Sequence, residues 1–140
     1  LTLADSLHTV SDNFYVLPDS MGSLQQLAEL QHVRLDTSVA ASPVATISSA
    51  ASCHTCTTTI ELHNPSATPA MMVRLCLRTD DGEQVLPVHY SDNYFHLMPG
   101  KKKTVTVEWD AADQHQPKAY VEVSGYNVAT QAIAISHCSK

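Results

Sequence analysis

Apolar and polar residues alternate along four stretches of this chain, and strict alternation leaves little choice of structure. Thr104-Val105-Thr106-Val107-Glu108-Trp109 places Val105, Val107 and Trp109 on one side and Thr104, Thr106 and Glu108 on the other. Val73, Leu75 and Leu77 likewise oppose Arg74, Cys76 and Arg78, and the pattern recurs in Thr57–Leu62 and in Tyr120–Ser124. A period of two is that of a β-strand, whose successive side chains point to opposite faces. One wet face per strand indicates antiparallel sheets, because parallel strands are covered on both sides.

Turn signals separate these runs at intervals of roughly 8–12 residues, the spacing of a sandwich or barrel. Asn64-Pro65-Ser66 ends one strand, Asp80-Asp81-Gly82 suits a hairpin, and Pro99-Gly100 suits a tight turn. Strands are predicted near residues 32–40, 55–63, 71–79, 84–90, 94–98, 103–109, 118–124 and 130–136. Seven to eight short antiparallel strands in a chain of 140 residues make an immunoglobulin-like antiparallel β-sandwich. One segment breaks the pattern. Ser23–Leu30 has apolar residues at helical offsets, and Ser23 with Gln26 resembles a capping box, so a short helix is expected in an N-terminal linker.

The string Ser11-Asp12-Asn13-Phe14-Tyr15-Val16-Leu17-Pro18 is echoed by Ser91-Asp92-Asn93-Tyr94-Phe95-His96-Leu97-Met98-Pro99, with one residue inserted. Two equivalent strand starts in successive sandwiches would produce such an echo. The expected organisation is a tail strand of a preceding domain, or an N-terminal extension, over 1–17. A linker with the short helix covers 18–31, and the sandwich covers 32–140. Leu1 opens the chain without a basic, apolar leader behind it, so either a leader was removed or the chain is a piece of something longer.

Composition excludes several functions. With 8 Lys+Arg against 14 Asp+Glu the net charge is −6, which argues against nucleic acid as a partner. No apolar run approaches the ~20 residues of a membrane helix, so no membrane partner is expected. The chain is also too short for a (β/α)8 barrel, which takes about 250 residues.

Several residue types in the chain can carry chemistry, the cysteines first among them. Cys53-His54-Thr55-Cys56 has the spacing of a zinc knuckle or redox motif, and Cys138 follows His137 at the far end. A zinc site needs four converging ligands, and a redox motif needs a helix N-terminus to lower the thiol pKa. On a Thr-rich strand Cys53 and Cys56 point to opposite faces, which defeats both mechanisms, so neither metal nor cofactor is expected. In an oxidising compartment a Cys53–Cys56 or a Cys53–Cys138 disulfide is open to the chain. By parity Cys56 faces the core, whereas Cys76 lies on the Arg74/Arg78 face.

The eight histidines show no metal-binding spacing; His89 and His96 could approach one another on strands, but a scattered surface set is the plainer reading. Hydrolysis of a glycoside takes two carboxyls about 5–10 Å apart in a cleft. Glu61, Glu108 and Glu122 instead fall on polar strand faces, and no catalytic residue is assigned. Trp109, Tyr90, Tyr94, Tyr120 and Tyr126 could stack on sugar rings if they lined one exposed face, although Trp109 has inward parity and suits the core. Lys101-Lys102-Lys103 is too short for a polyanion patch and suits a solvated edge guard.

The order of motifs carries more than any one of them. Asn13-Phe14-Tyr15 is followed by the linker, by Met72-Val73-Arg74-Leu75, and by the run from Val85 to Gly100 containing Ser91, Asp92, Asn93, Tyr94, Pro99 and Gly100. Ser124, Gly125, Tyr126 and Asn127 then close the series. This arrangement resembles the C-terminal β-sandwich domain of glycoside hydrolase family 2, in its exo-β-D-glucosaminidase and β-mannosidase branch. The S-D-N-Y-x-x-L-x-P-G string is the most specific part. Lys101 stands where the family usually has an acidic residue, and Val16 where a Trp is common.

The resemblance implies a non-catalytic domain of a multi-domain retaining exo-β-glycosidase, whose two catalytic glutamates lie on a barrel with no counterpart here. It implies other domains of the parent as partners, carbohydrate near the parent's active site, and an extracytoplasmic parent. The parent's substrate would be β-linked glucosamine in chitosan oligomers, or alternatively β-mannosides. The other readings are a free-standing carbohydrate-binding module and a secreted adhesion-type sandwich.

Overall fold

The computed structural model describes residues 2–4, 9–12, 25–47, 54–110, 118–136 and 138. The chain divides into two compact units, Leu1–Leu30 and Gln31–Lys140. In the first, β1 (Thr2–Ala4) and β2 (Thr9–Asp12) form an antiparallel pair, and Gln25–Ala28 makes one helical turn, α1. The expected helix is thus present but only four residues long. Its Ser23 cap, and the first copy of the echo from Asn13 onward, lie outside the described residues.

The second unit is the sandwich, in which the described residues form eight strands where seven to eight are expected. They are β3 (Asp36–Ile47), β4 (His54–His63), β5 (Ala70–Thr79), β6 (Val88–Tyr90), β7 (Phe95–Leu97), β8 (Lys102–Asp110), β9 (Ala119–Ser124) and β10 (Gln131–Ile135). One sheet has the order β3-β4-β8-β6 and the other β10-β9-β5-β7, every pair antiparallel.

Between the sheets lie the residues that parity assigned inward: Ile60 and Leu62 from β4, Val105, Val107 and Trp109 from β8, Val73, Leu75 and Leu77 from β5, and Val121 and Val123 from β9. Thr58 is the polar member of this inner row, and its hydroxyl donates to the Ala41 carbonyl at 2.7 Å.

Two strand spans differ from expectation for backbone reasons. The run at 32–40 does not start at its first residues, because Val33 pairs elsewhere. Its N–H donates to the Asn127 carbonyl (2.7 Å), and its carbonyl accepts from Ala129 (2.8 Å). The strand proper begins at Asp36 and runs on to Ile47. The run at 84–90 keeps only Val88–Tyr90, because its first half joins the other sheet. Gln84 bridges Arg78, and the Val85 N–H donates to the Leu77 carbonyl of β5, whereas Val88–Tyr90 pair with β8. Pro87, which has no N–H for a ladder, sits where the chain changes sheets.

The cysteines require a correction. Cys56 is bonded to Cys138, which excludes both expected Cys53 pairings; Cys53 itself lies outside the described residues. Parity placed Cys56 in the core correctly, and the bridge ties the C-terminal segment to that inner face of β4. Cys76 is on the outer face as expected, yet it is buried and free. Its cross-strand partner is Glu122, whose carboxylate reaches over to the Arg78 guanidinium at 3.2 Å on the same face.

Candidate functional site

Asn93, Gly125 and Tyr126 of the motif bear on β5. That strand pairs with β9 along one side, but on the other β7 reaches only Ala70 and Val73. Beyond Val73 the edge would leave backbone groups bare, each worth about 1–3 kcal/mol if buried without a partner. The connection through residues 80–94 seals it. The Leu75 N–H donates to Asn93 Oδ1 (2.8 Å), and Asn93 Nδ2 donates back to the Leu75 carbonyl (3.0 Å). The Leu77 N–H donates to the Tyr90 hydroxyl oxygen (2.8 Å), and the Thr79 N–H donates to the Glu83 carbonyl (2.9 Å). Burial pushes the Tyr90 phenol above its ordinary pKa, so at neutral pH it is the uncharged hydroxyl that accepts.

Ser91 and Asp92 hold this connection at its other end. The Ser91 N–H donates to the Thr106 carbonyl, and the Thr106 N–H donates to Ser91 Oγ, both at 2.9 Å, so Ser91 extends the β6–β8 ladder. Asp92 accepts from the Asn93 N–H and pairs with Lys103 at 2.5 Å. Lys103 also lies 4.8 Å from the centre of the Phe95 ring, and Lys102 pairs with Glu61 at 3.1 Å. The lysine run is therefore partly committed to ion pairs, with Lys101 exposed.

Pro99-Gly100 makes the tight turn, with Gly100 at φ +70° and the Lys101 N–H donating to the Met98 carbonyl. Buried Asn64 anchors it: its carbonyl accepts from Gly100 (2.8 Å), and its Nδ2 donates to the Leu97 carbonyl (2.9 Å).

The Ser124–Asn127 string does the same work at the start of β5. Gly125 passes so close to it that a Cβ would stand 2.8 Å from the Met71 carbonyl oxygen and 2.9 Å from Val128 Cγ2. The Tyr126 N–H donates to that carbonyl (2.9 Å). Asn127, buried, accepts from the Met71 N–H through Oδ1 (2.9 Å), and its Nδ2 donates to the Gln31 and Pro69 carbonyls (3.0 and 2.9 Å). Asn127 and Asn64 carry these junctions, although in sequence one only closes a motif and the other only marks a turn.

The motif thus explains backbone closure, and it also presents side chains. Met72 and Tyr94 both have positive φ, +53° and +57°, which is uncommon for large residues. Met72 sits at the irregularity in the β5–β7 register, and its N–H donates to His96 Nδ1 (3.1 Å). Burial holds the His96 pKa below its ordinary value, so the ring stays neutral and keeps an acceptor for Met72. His96 therefore engages β5, whereas His89 lies on β6 of the other sheet.

Glu61, Glu108 and Glu122 stand apart on the outer sheet faces. Glu61 lies on the outer face of one sheet and Glu122 on that of the other, each paired with a cation. Glu108 shares a sheet face with Glu61 but lies four residues along β8 from its partner Thr104, or roughly 13 Å at strand rise. A retaining pair is about 5–5.5 Å apart. Among the described residues no three His, Cys, Asp or Glu side chains gather as a metal site. Trp109 is core, and the aromatic residues do not form one exposed row: Tyr94 and Tyr126 are exposed, whereas Tyr90 is half-buried.

Comparison with known proteins agrees with this architecture. Residues 13–128 match the family model of the exo-β-D-glucosaminidase Ig-fold domain. The exo-β-D-glucosaminidase of Streptomyces avermitilis is 33% identical over 135 residues, covering 94% of this chain and 14% of that protein. The enzyme of the same name from Amycolatopsis orientalis is 32% identical over 138 residues, covering 94% of this chain and 12% of that protein. The crystal structure of the Amycolatopsis orientalis exo-chitosanase CsxA superposes with a TM-score of 0.67 at 29% identity, covering 89% of this chain and 14% of that one. The chain therefore spans about one seventh of the relatives it matches. It belongs to the family of exo-β-D-glucosaminidase immunoglobulin-fold domains.

Proposed function

We propose that this chain is a non-catalytic domain of a longer retaining exo-β-glycosidase, and that it supports the catalytic barrel by packing against it. The observation that carries this reading is the pairing of a family match over residues 13–128 with outer-face glutamates too far apart to act together. The motif residues that carry the family likeness hold backbone junctions, as befits a scaffold. By the names of the relatives, the parent removes β-linked glucosamine from chitosan oligomers. Cleavage would run by double displacement through a glycosyl-enzyme intermediate, with both carboxyls supplied elsewhere in the polypeptide. The Cys56–Cys138 bridge supports an extracytoplasmic parent, since disulfides persist in oxidising compartments.

The test is an assay with aryl β-D-glucosaminide and aryl β-mannoside on the full-length polypeptide and on this chain alone. Turnover of the glucosaminide by the full polypeptide and none by the chain is expected. Turnover by the chain would overturn the non-catalytic role, and preference for the mannoside would overturn the substrate.

A further inference from the structure

Among the described residues four large apolar side chains are exposed, and backbone pairing brings three of these residues to one end of the β10-β9-β5-β7 sheet. These are Met72 (48% exposed), Tyr94 (57%) and Tyr126 (58%); the fourth, Leu86, lies in the connection before β6. Their neighbourhood follows from the backbone. Tyr126 bonds to Met71, Met72 bonds to His96, and Tyr94 precedes Phe95, the β7 partner of Val73.

Two of the three sit at left-handed φ, a conformation costly to a non-glycine residue that persists where surrounding structure enforces it. Here the enforcing groups are the Asn93 clamp on Leu75, the Asn127 and Tyr126 bonds to Met71, and His96 on Met72. Arg74 adds a charge nearby. It lies opposite Ser124, two residues from Met72 in β5, and follows Val73, whose partner Phe95 is next to Tyr94 in the chain. Among the described residues no carboxylate pairs with Arg74, although the chain as a whole carries −6.

Tyr, Met and Arg are the residue types enriched in protein–protein interfaces, and an exposed patch of them marks a contact surface. A cation with no carboxylate paired to it among the described residues calls for an anion in the partner. We propose that Met72, Arg74, Tyr94 and Tyr126 are the face that docks on another domain of the same, longer polypeptide, and that this partner offers an apolar surface with one carboxylate facing Arg74. The inference rests on the interdomain reading above and names the surface that performs it. The tether supports that choice of occupant: the relatives carry this domain within chains about seven times its length, where a neighbour is always at high local concentration.

Hydroxyl-radical footprinting of the native full-length polypeptide tests it, with Leu86 as the exposed reference in the same domain. Met72, Tyr94 and Tyr126 should be oxidised at least about fivefold more slowly than their exposure in the domain predicts, and Arg74→Glu should restore their oxidation. Should Arg74→Glu fail to fold, Arg74→Gln gives the same restoration to a lesser degree. If the three residues oxidise freely while another surface of the domain is protected, this face is wrong and interdomain packing stands. If no surface of the domain is protected, both readings fall. Unchanged protection in both Arg74 variants would remove the carboxylate partner.

Discussion

The side-chain amide of Asn93 pairs with both backbone groups of Leu75, donating to its carbonyl and accepting from its N–H, as a neighbouring strand would. One side chain thus replaces a rung of the missing ladder beside β5. The arrangement needs an amide, since only an amide both donates and accepts in that geometry. Asn93→Ala should lower stability by about 1–3 kcal/mol, and Asn93→Asp should not rescue it, because a carboxylate cannot donate to the Leu75 carbonyl. Urea unfolding of the chain followed by circular dichroism reads both.

Two glycines separate steric closeness from backbone strain. Gly100→Ala meets nothing within 4 Å and suffers only its φ of +70°, a cost of about 1–2 kcal/mol. Gly125→Ala drives a methyl group against the Met71 carbonyl at 2.8 Å and Val128, so β5 or the following loop must move. It should be the more damaging change, by about 1 kcal/mol or more, in the same unfolding measurement.

The Cys56–Cys138 bridge closes a span of 82 residues, for which chain entropy gives about 4.5 kcal/mol. Cys138→Ser should lower the melting temperature markedly, as should reduction of the native chain. Cys76, buried beneath the outer face, should resist Ellman's reagent until the protein unfolds.

His96 sets a pH dependence. Its folded pKa is depressed by burial, so its contribution is complete above the ordinary histidine value of about 6.5 and is lost as pH falls through the folded value. Protonation at Nδ1 also removes the acceptor of the Met72 N–H. Stability should therefore decline on acidification below about pH 6.5, and His96→Gln should flatten that part of the curve. Chemical unfolding between pH 5 and 8, with the His96 ring followed by NMR, checks the sign.

The sandwich was legible because its strands are half-wet. Val105, Val107 and Trp109 could be placed inward from period alone, and the burial of all three agrees. What alternation cannot show is which strand a segment leaves. Residues 84–90 read as one strand, yet Val85 serves β5 and Val88 serves β8, a division set by tertiary pairing. The disulfide was missed for a similar reason. Parity gives the face of Cys56, but only the path of the C-terminal segment brings Cys138 to it. Asn93 and Asn127 carried signals as motif members, whereas their roles as substitutes for backbone partners depend on where the sheets end.

On the proposed reading, glycoside cleavage by the longer polypeptide takes place outside these 140 residues. A 2-fluoro glycoside or another mechanism-based inactivator that traps the glycosyl-enzyme, applied to the full-length polypeptide and mapped by peptide mass spectrometry, tests it most directly. The label should fall on a carboxylate outside this chain. A label on Glu61, Glu108 or Glu122 would contradict it.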